Sequence, residues 1–220
     1  VVAVGCYVQT GKEDVVLVNW AAHPANPYDK AIGNFNICAD HPGWCRDELE
    51  KLSGAKVAYM NGASGDVIPW SHVKELNHGL NAKEYGERLG QIAFSHFGEF
   101  KPMEIDAIKT TQQVVQCKIE HKGEELSEEC KEICRIRWTE GNRELSNKMA
   151  RDIGLSSAYH AVAILFRKAM GESKPRTVGA FRIGPVSFTT GTYEMASEHA
   201  GEIKAASPYE FTLQICANSK

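Results

Sequence analysis

The chain has 220 residues, 43% of them hydrophobic and 24% charged, with a formal net charge of −3. That length and composition suit one soluble globular domain with a sizeable core, and the charge balance leaves no electrostatic footprint for nucleic acid or an anionic membrane surface. No apolar run approaches the length of a membrane span.

The opening Val1-Val2-Ala3-Val4-Gly5 has no basic segment ahead of an apolar stretch, so it does not read as a signal peptide. Lacking an initial Met and starting in what reads as a strand, the sequence is expected to be a fragment of a longer protein. Its cysteines, at positions 6, 38, 45, 117, 130, 134 and 216, are scattered and never spaced as CxxC. They are expected to be free thiols of a reducing compartment, which points to a cytoplasmic chain.

In chain order, residues 14–20 (DVVLVNW) form a continuous apolar, β-branched run, the pattern of a strand covered on both faces. Pro24 ends it. Asp40 is the expected N-cap of a helix running to about Leu52, with Pro42 in its first turn. A second buried strand, residues 56–60 (KVAYM), enters the glycine-containing loop 61–66 (NGASGD). Asn81 followed by Glu84 predicts a capping box, with Tyr85, Leu89, Ile92 and Phe97 on one side of the helix after it. Residues 105–121 alternate as a half-exposed strand. Polar residues 127–150 predict surface helices broken at Gly141-Asn142, and an apolar helix spans about 156–170. Strands over 177–183 and 186–190 meet at the turn signal Gly184-Pro185, and a helix follows Glu194. Strands alternating with helices predict an α/β domain: a mixed or largely parallel β-sheet core with helices packed around it, one domain over residues 1–220.

Three predicted strands end in small or polar residues: His23-Pro24, the 61–66 loop and Glu194. Ligands in α/β folds bind at the carboxyl ends of strands, so these ends meet if the strands are parallel neighbours. An imidazole and a carboxylate there offer the nitrogen and oxygen donors that zinc takes. Spacing alone leaves blander readings open. His23 can bond backbone groups at a strand end, and Glu194 can cap a helix. Asp66 can orient a ligand or water, or form an Asx turn, and Ser64 can take part in catalysis or only in the turn. His41, His72, His78, His96, His121 and His160 have no partner that the sequence identifies. Trp44, Trp70 and Trp138 suit packing better than an aromatic platform.

Asn19-Trp20-Ala21-Ala22-His23-Pro24 resembles the N-W-x-x-H-P stretch of the neutral, non-lysosomal ceramidases. Residues 39–49 and 55–69 resemble that family's next block, which ends in a G-D/N-x-S-P-like loop. Residues 183–194 are similar to its I-G … P-G-E segment, and 207–218 to the segment after it. The blocks keep the family's order and cover about half the chain, leaving 105–175 as an unmatched, partly helical region. The resemblance implies a zinc enzyme hydrolysing an amide of a lipid or other N-acylated small molecule, with His23 and Glu194 as ligands. In the family's order a further ligand histidine precedes Val1 and a ligand tyrosine follows Lys220. The family's catalytic serine falls on Ile68, and its proline and glycine before the glutamate are Thr192 and Tyr193. With no serine, zinc-activated water is the expected nucleophile, with Ser64 and Asp66 as candidate catalytic participants. Two alternatives stand beside this: a ceramidase-like binding or regulatory protein without activity, and an amide hydrolase acting on sugar or peptidoglycan substrates.

Overall fold

A computed structural model describes residues 4–8, 14–24, 38–69 and 80–216. Trp70, His72, His78, Ala217 and Asn218 lie outside the described residues. The chain forms two compact units, one built from Val1–Gln113 and Thr177–Lys220, the other from Val114–Arg176.

The first unit contains a sheet of β1 (Val4–Val8), β2 (Val15–Trp20) and β3 (Lys56–Asn61), with β2 in the middle. β2 runs antiparallel to β1 and parallel to β3, with Val16 opposite Val57 and Trp20 opposite Asn61. The β2–β3 crossover carries helix α1 (Asp40–Ser53), and α2 (Ala82–Ser95) follows β3. Alternation along β2 covers both of its faces, as its unbroken apolar run predicts. Val16 and Val18 pack with Cys45, Leu49, Val57 and Leu89, while Leu17 on the opposite face joins Met60, Phe188 and Leu213.

The second sheet has the order β4 (Ile108–Lys118), β5 (Ser173–Ile183), β6 (Val186–Gly191), β7 (Phe211–Cys216). β5 and β6 form an antiparallel hairpin whose turn places Gly184 at φ 55°, a left-handed conformation that costs glycine least. β6 and β7 are parallel, joined through α6 (Ser197–Ala206). The fold is therefore α/β with mixed sheets. β7 has no counterpart among the predicted strands. Instead of alternating, β4 is exposed along nearly its whole length.

Asn81 and Glu84 form the predicted capping box, but α2 buries Ala82, Gly86, Leu89 and Gly90 and leaves Ile92 46% exposed. Its glycines set this rotation. A Cβ on Gly86 would lie 2.5 Å from the His41 carbonyl oxygen and 2.6 Å from Trp44 Cβ, and one on Gly90 would lie 3.0 Å from the Cys45 carbonyl oxygen. The missing side chains let α2 lie against the α1 backbone. Gly86→Ala is expected to destabilise the protein by about 1–3 kcal/mol through overpacking, outweighing alanine's helix-propensity advantage of ~1 kcal/mol. Urea unfolding checks this, and an unchanged or raised midpoint would contradict it.

Asp40 is not the N-cap. Ala39 occupies that place, and Asp40 is the first helical residue at φ 50° with its Oδ1 accepting the His41 N–H at 2.5 Å. An aspartate tolerates this region because its short side chain bonds locally. His41, to which the sequence assigns no partner, is fully buried. Its Nε2 lies 3.3 Å from the Tyr59 hydroxyl and its ring meets Tyr85 edge-on at 5.0 Å.

In the second unit, α3 (Ser127–Cys134), a π-helical turn (Arg135–Thr139), α4 (Arg143–Asp152) and α5 (Ala158–Ala169) enclose Cys130, Ile133, Ala150, Leu155, Ala158, Ala161 and Ile164. The break at Gly141-Asn142 occurs as predicted, and the Asn142 side chain caps α4 by accepting the Leu145 N–H. The flanking helices are more than surface helices, since each buries one face in this core. No helix among the described residues is long and apolar enough to cross a membrane.

Candidate functional site

The strand ends that the sequence singles out meet in the first unit, although not within one sheet. β2 and β3 are parallel neighbours that finish side by side, whereas β6 belongs to the other sheet. What joins them is a set of polar bonds across the sheets. Asn19, 4% exposed, donates from Nδ2 to the Met60 carbonyl at 3.1 Å and to the Gln214 carbonyl at 2.7 Å, linking β2 to β3 and β7. Trp20 donates from its indole to the Tyr85 hydroxyl at 3.0 Å, tying the same strand end to α2.

Beyond Trp20, the Gly62 N–H donates to the Trp20 carbonyl at 2.8 Å, and the His23 N–H donates to the Val67 carbonyl at 2.8 Å. The 61–67 loop thus runs beside the 20–23 segment. Gly62 permits that approach, because a Cβ there would stand 3.2 Å from three atoms of Ala21. On its other side the loop meets the segment after β6. The Gly65 N–H donates to the Met195 carbonyl at 2.8 Å, and a Cβ on Gly65 would lie 3.0 Å from that oxygen.

His23 Nε2 and Glu194 Oε1 are in direct contact, with side chains 36% and 44% exposed, so the pair is open to solvent. The peptides flanking Glu194 are bonded to one sulfur: the Met195 N–H donates to Cys216 Sγ at 3.3 Å, and that thiol lies 3.6 Å from the Tyr193 carbonyl as its donor. Nothing in the sequence assigns Cys216 a role beyond that of a free thiol. Only the β7 strand, invisible in the hydropathy pattern, brings it to the site.

Ser64 is 1% exposed, and its Oγ accepts from Asn61 Nδ2 at 2.8 Å. Asn61 Oδ1 is buried with no hydrogen-bond donor among the described residues. Both Asp66 oxygens are engaged by Ser197: Oδ1 accepts its N–H at 2.7 Å and Oδ2 its hydroxyl at 2.9 Å. These two bonds, the backbone one foremost, hold the Asp66 carboxyl below its usual range. Ile68 is 39% exposed and carries no polar atom.

As a donor set, one imidazole nitrogen touching one carboxylate oxygen has the chemistry zinc accepts. Among the described residues no third His, Cys, Asp or Glu joins them. A catalytic zinc centre takes three protein ligands, so the pair fits part of such a centre.

No known family's sequence model matches the chain, and no curated protein is a detectable relative in sequence. Solved structures do match. The neutral ceramidase from Pseudomonas aeruginosa aligns with 95% of this chain at a TM-score of 0.51 and 14% identity. A ceramidase described as complexed with C2 aligns with 95% at a TM-score of 0.54 and 13% identity. At such identities the likeness is one of fold: the chain has a ceramidase-like fold. It spans 38% of the first of those chains and 39% of the second.

Proposed function

We propose that this chain is part of a zinc-dependent hydrolase of amide bonds, acting on an N-acylated lipid or other N-acylated small molecule. The contact between His23 Nε2 and Glu194 Oε1 carries the reading, supported by the fold shared with neutral ceramidases. His23 would supply a neutral nitrogen and Glu194 an anionic oxygen, with the remaining ligands coming from segments outside this chain. Zinc, when bound, polarises a carbonyl and makes water a competent nucleophile near neutral pH. The Val67 carbonyl holds the His23 backbone, and Cys216 holds the peptides on either side of Glu194. The 61–66 loop would line one wall of the site.

Ile68 stands where the ceramidase resemblance implies a serine. Its side chain is exposed and has no atom that can attack a carbonyl, so an acyl-enzyme route through this position is closed. Ile68→Ala is expected to keep hydrolysis within about twofold, the scale of a ±0.5 kcal/mol surface change. A loss of activity well beyond that range, in steady-state assays, would show that Ile68 contributes to the reaction. The reading as a whole is tested on the full-length protein by metal analysis together with hydrolysis of ceramide and simpler N-acyl amides, with and without chelator. Stoichiometric zinc and chelator-sensitive amide cleavage are expected.

Ile68 also favours a second reading, a ceramidase-like binding or regulatory protein that keeps the fold without the chemistry. A full-length protein that holds no metal and cleaves none of these amides would support it.

A further inference from the structure

We infer that Asp66 is a positioning residue, which through the 64–67 turn sets the placement of the His23–Glu194 pair. The inference rests on the proposed function only for its zinc measurement.

Helix α6 begins at Ser197, three positions after Glu194, and its N-cap residue Ala196 makes no side-chain cap bond. The first N–H groups of a helix need acceptors from outside it, and alanine has none to give. Asp66 supplies one from a distant part of the chain, accepting both the N–H and the hydroxyl of Ser197. An aspartate here also places a negative charge at the positive end of the helix dipole. The neighbouring residues of the same turn make the other connections. Gly65 bonds the carbonyl of Met195, next to Glu194, and Val67 accepts the N–H of His23. The turn itself is closed by the Val67 N–H donating to the Ser64 carbonyl at 3.1 Å.

One short turn therefore touches both arms of the pair. Val67 fixes the histidine arm, Gly65 and Asp66 fix the glutamate arm, and the spacing between the arms follows from the turn. Asp66 makes two bonds to α6 where each neighbour makes one bond to its arm, so its loss should loosen the turn most. Each carboxylate oxygen of Asp66 bonds Ser197, and through those bonds Asp66 acts on the arms.

A cap that served α6 alone would show a different signature from a residue that places both arms, and amide hydrogen exchange separates the two. In the full-length protein, Asp66→Ala is expected to speed exchange at the Ser197 amide and, with it, at the Gly65 and His23 amides by about tenfold or more (a loss of 1.4 kcal/mol or more in local opening). The β2–β3 ladder should be unchanged. Asp66→Asn keeps an acceptor for the Ser197 N–H and should restore most of the protection. It also serves as the test should the alanine variant not fold, its expected result then being a smaller acceleration at the same three amides. Acceleration confined to Ser197 in whichever variant folds, with Gly65 and His23 as in the parent, would overturn the inference. In parallel, chelator competition should show zinc affinity falling by ~10–100-fold in Asp66→Ala, as when an outer-shell partner of a metal ligand is removed, with recovery in Asp66→Asn. Unchanged affinity would overturn it. If the parent protein binds no zinc, the proposed function fails, and hydrogen exchange still decides the role of Asp66.

Discussion

Replacing His23 with alanine in the full-length protein is expected to abolish stoichiometric zinc binding while leaving the fold intact. The imidazole is more than a third exposed and its Nε2 faces Glu194, so the ring contributes little packing. The backbone bond from its N–H to the Val67 carbonyl is available to alanine as well. Removing a ligand should weaken the metal by more than the ~10–100-fold that an outer-shell loss costs, and hydrolysis should fall with it. Metal analysis after dialysis, with the unfolding midpoint measured on the metal-free forms, separates the two effects. The midpoints should agree to within about 0.5 kcal/mol. Zinc retained at full stoichiometry by the variant would remove His23 from the site.

The second large effect is on stability. Phe188 on β6 is 1% exposed and stacks on Phe181 with ring centroids 4.3 Å apart. It lies in the cluster that joins Leu17 of β2 and Met60 of β3 to Val186, Leu213 and Ile215 of the other sheet. This packing is the apolar counterpart of the Asn19 bonds, and it keeps the end of β6 beside the ends of β2 and β3. Phe188→Ala is expected to cost about 3–5 kcal/mol, the transfer loss plus a cavity that a two-sheet core cannot close. Since a domain has only about 5–15 kcal/mol in total, much of the margin would disappear. Chemical unfolding gives the number, and a loss below about 1 kcal/mol would mean that the sheets repack around the cavity.

The parts of the molecule legible in the sequence are those governed by local physics. The apolar β-branched run of β2, the Asn81–Glu84 capping box, the Gly184-Pro185 turn and the helix break before α4 each depend on neighbouring residues, and each is found where expected. Less legible were features that only tertiary contacts create. On α2, Leu89 packs in the core as its spacing predicts, but Gly86 and Gly90 also lie against α1 and leave Ile92 exposed. β7 escaped notice because FTLQIC alternates weakly and both Thr212 and Gln214 are buried.

The candidate site divides in the same way. Strand-end position and the ceramidase resemblance drew attention to His23 and Glu194, and the fold brings their side chains into contact. The meeting was expected of parallel neighbours in one sheet, yet it occurs across two sheets held by Asn19 and Phe188. Ser64 and Asp66 stand out in the sequence as polar groups in a glycine-containing loop. Their partners, Asn61 for one and Ser197 for the other, could not be chosen from sequence because Ser197 lies 131 positions from Asp66. Cys216 could not be found at all without knowing that β7 lies parallel to β6.

A zinc-edge anomalous diffraction measurement on crystals of the full-length protein addresses the metal directly. One strong peak is expected, bonded to His23 Nε2 and a Glu194 carboxylate oxygen at ~2.0–2.2 Å. A map with no peak beside those two side chains, from protein purified without chelator and supplied with zinc, would contradict it.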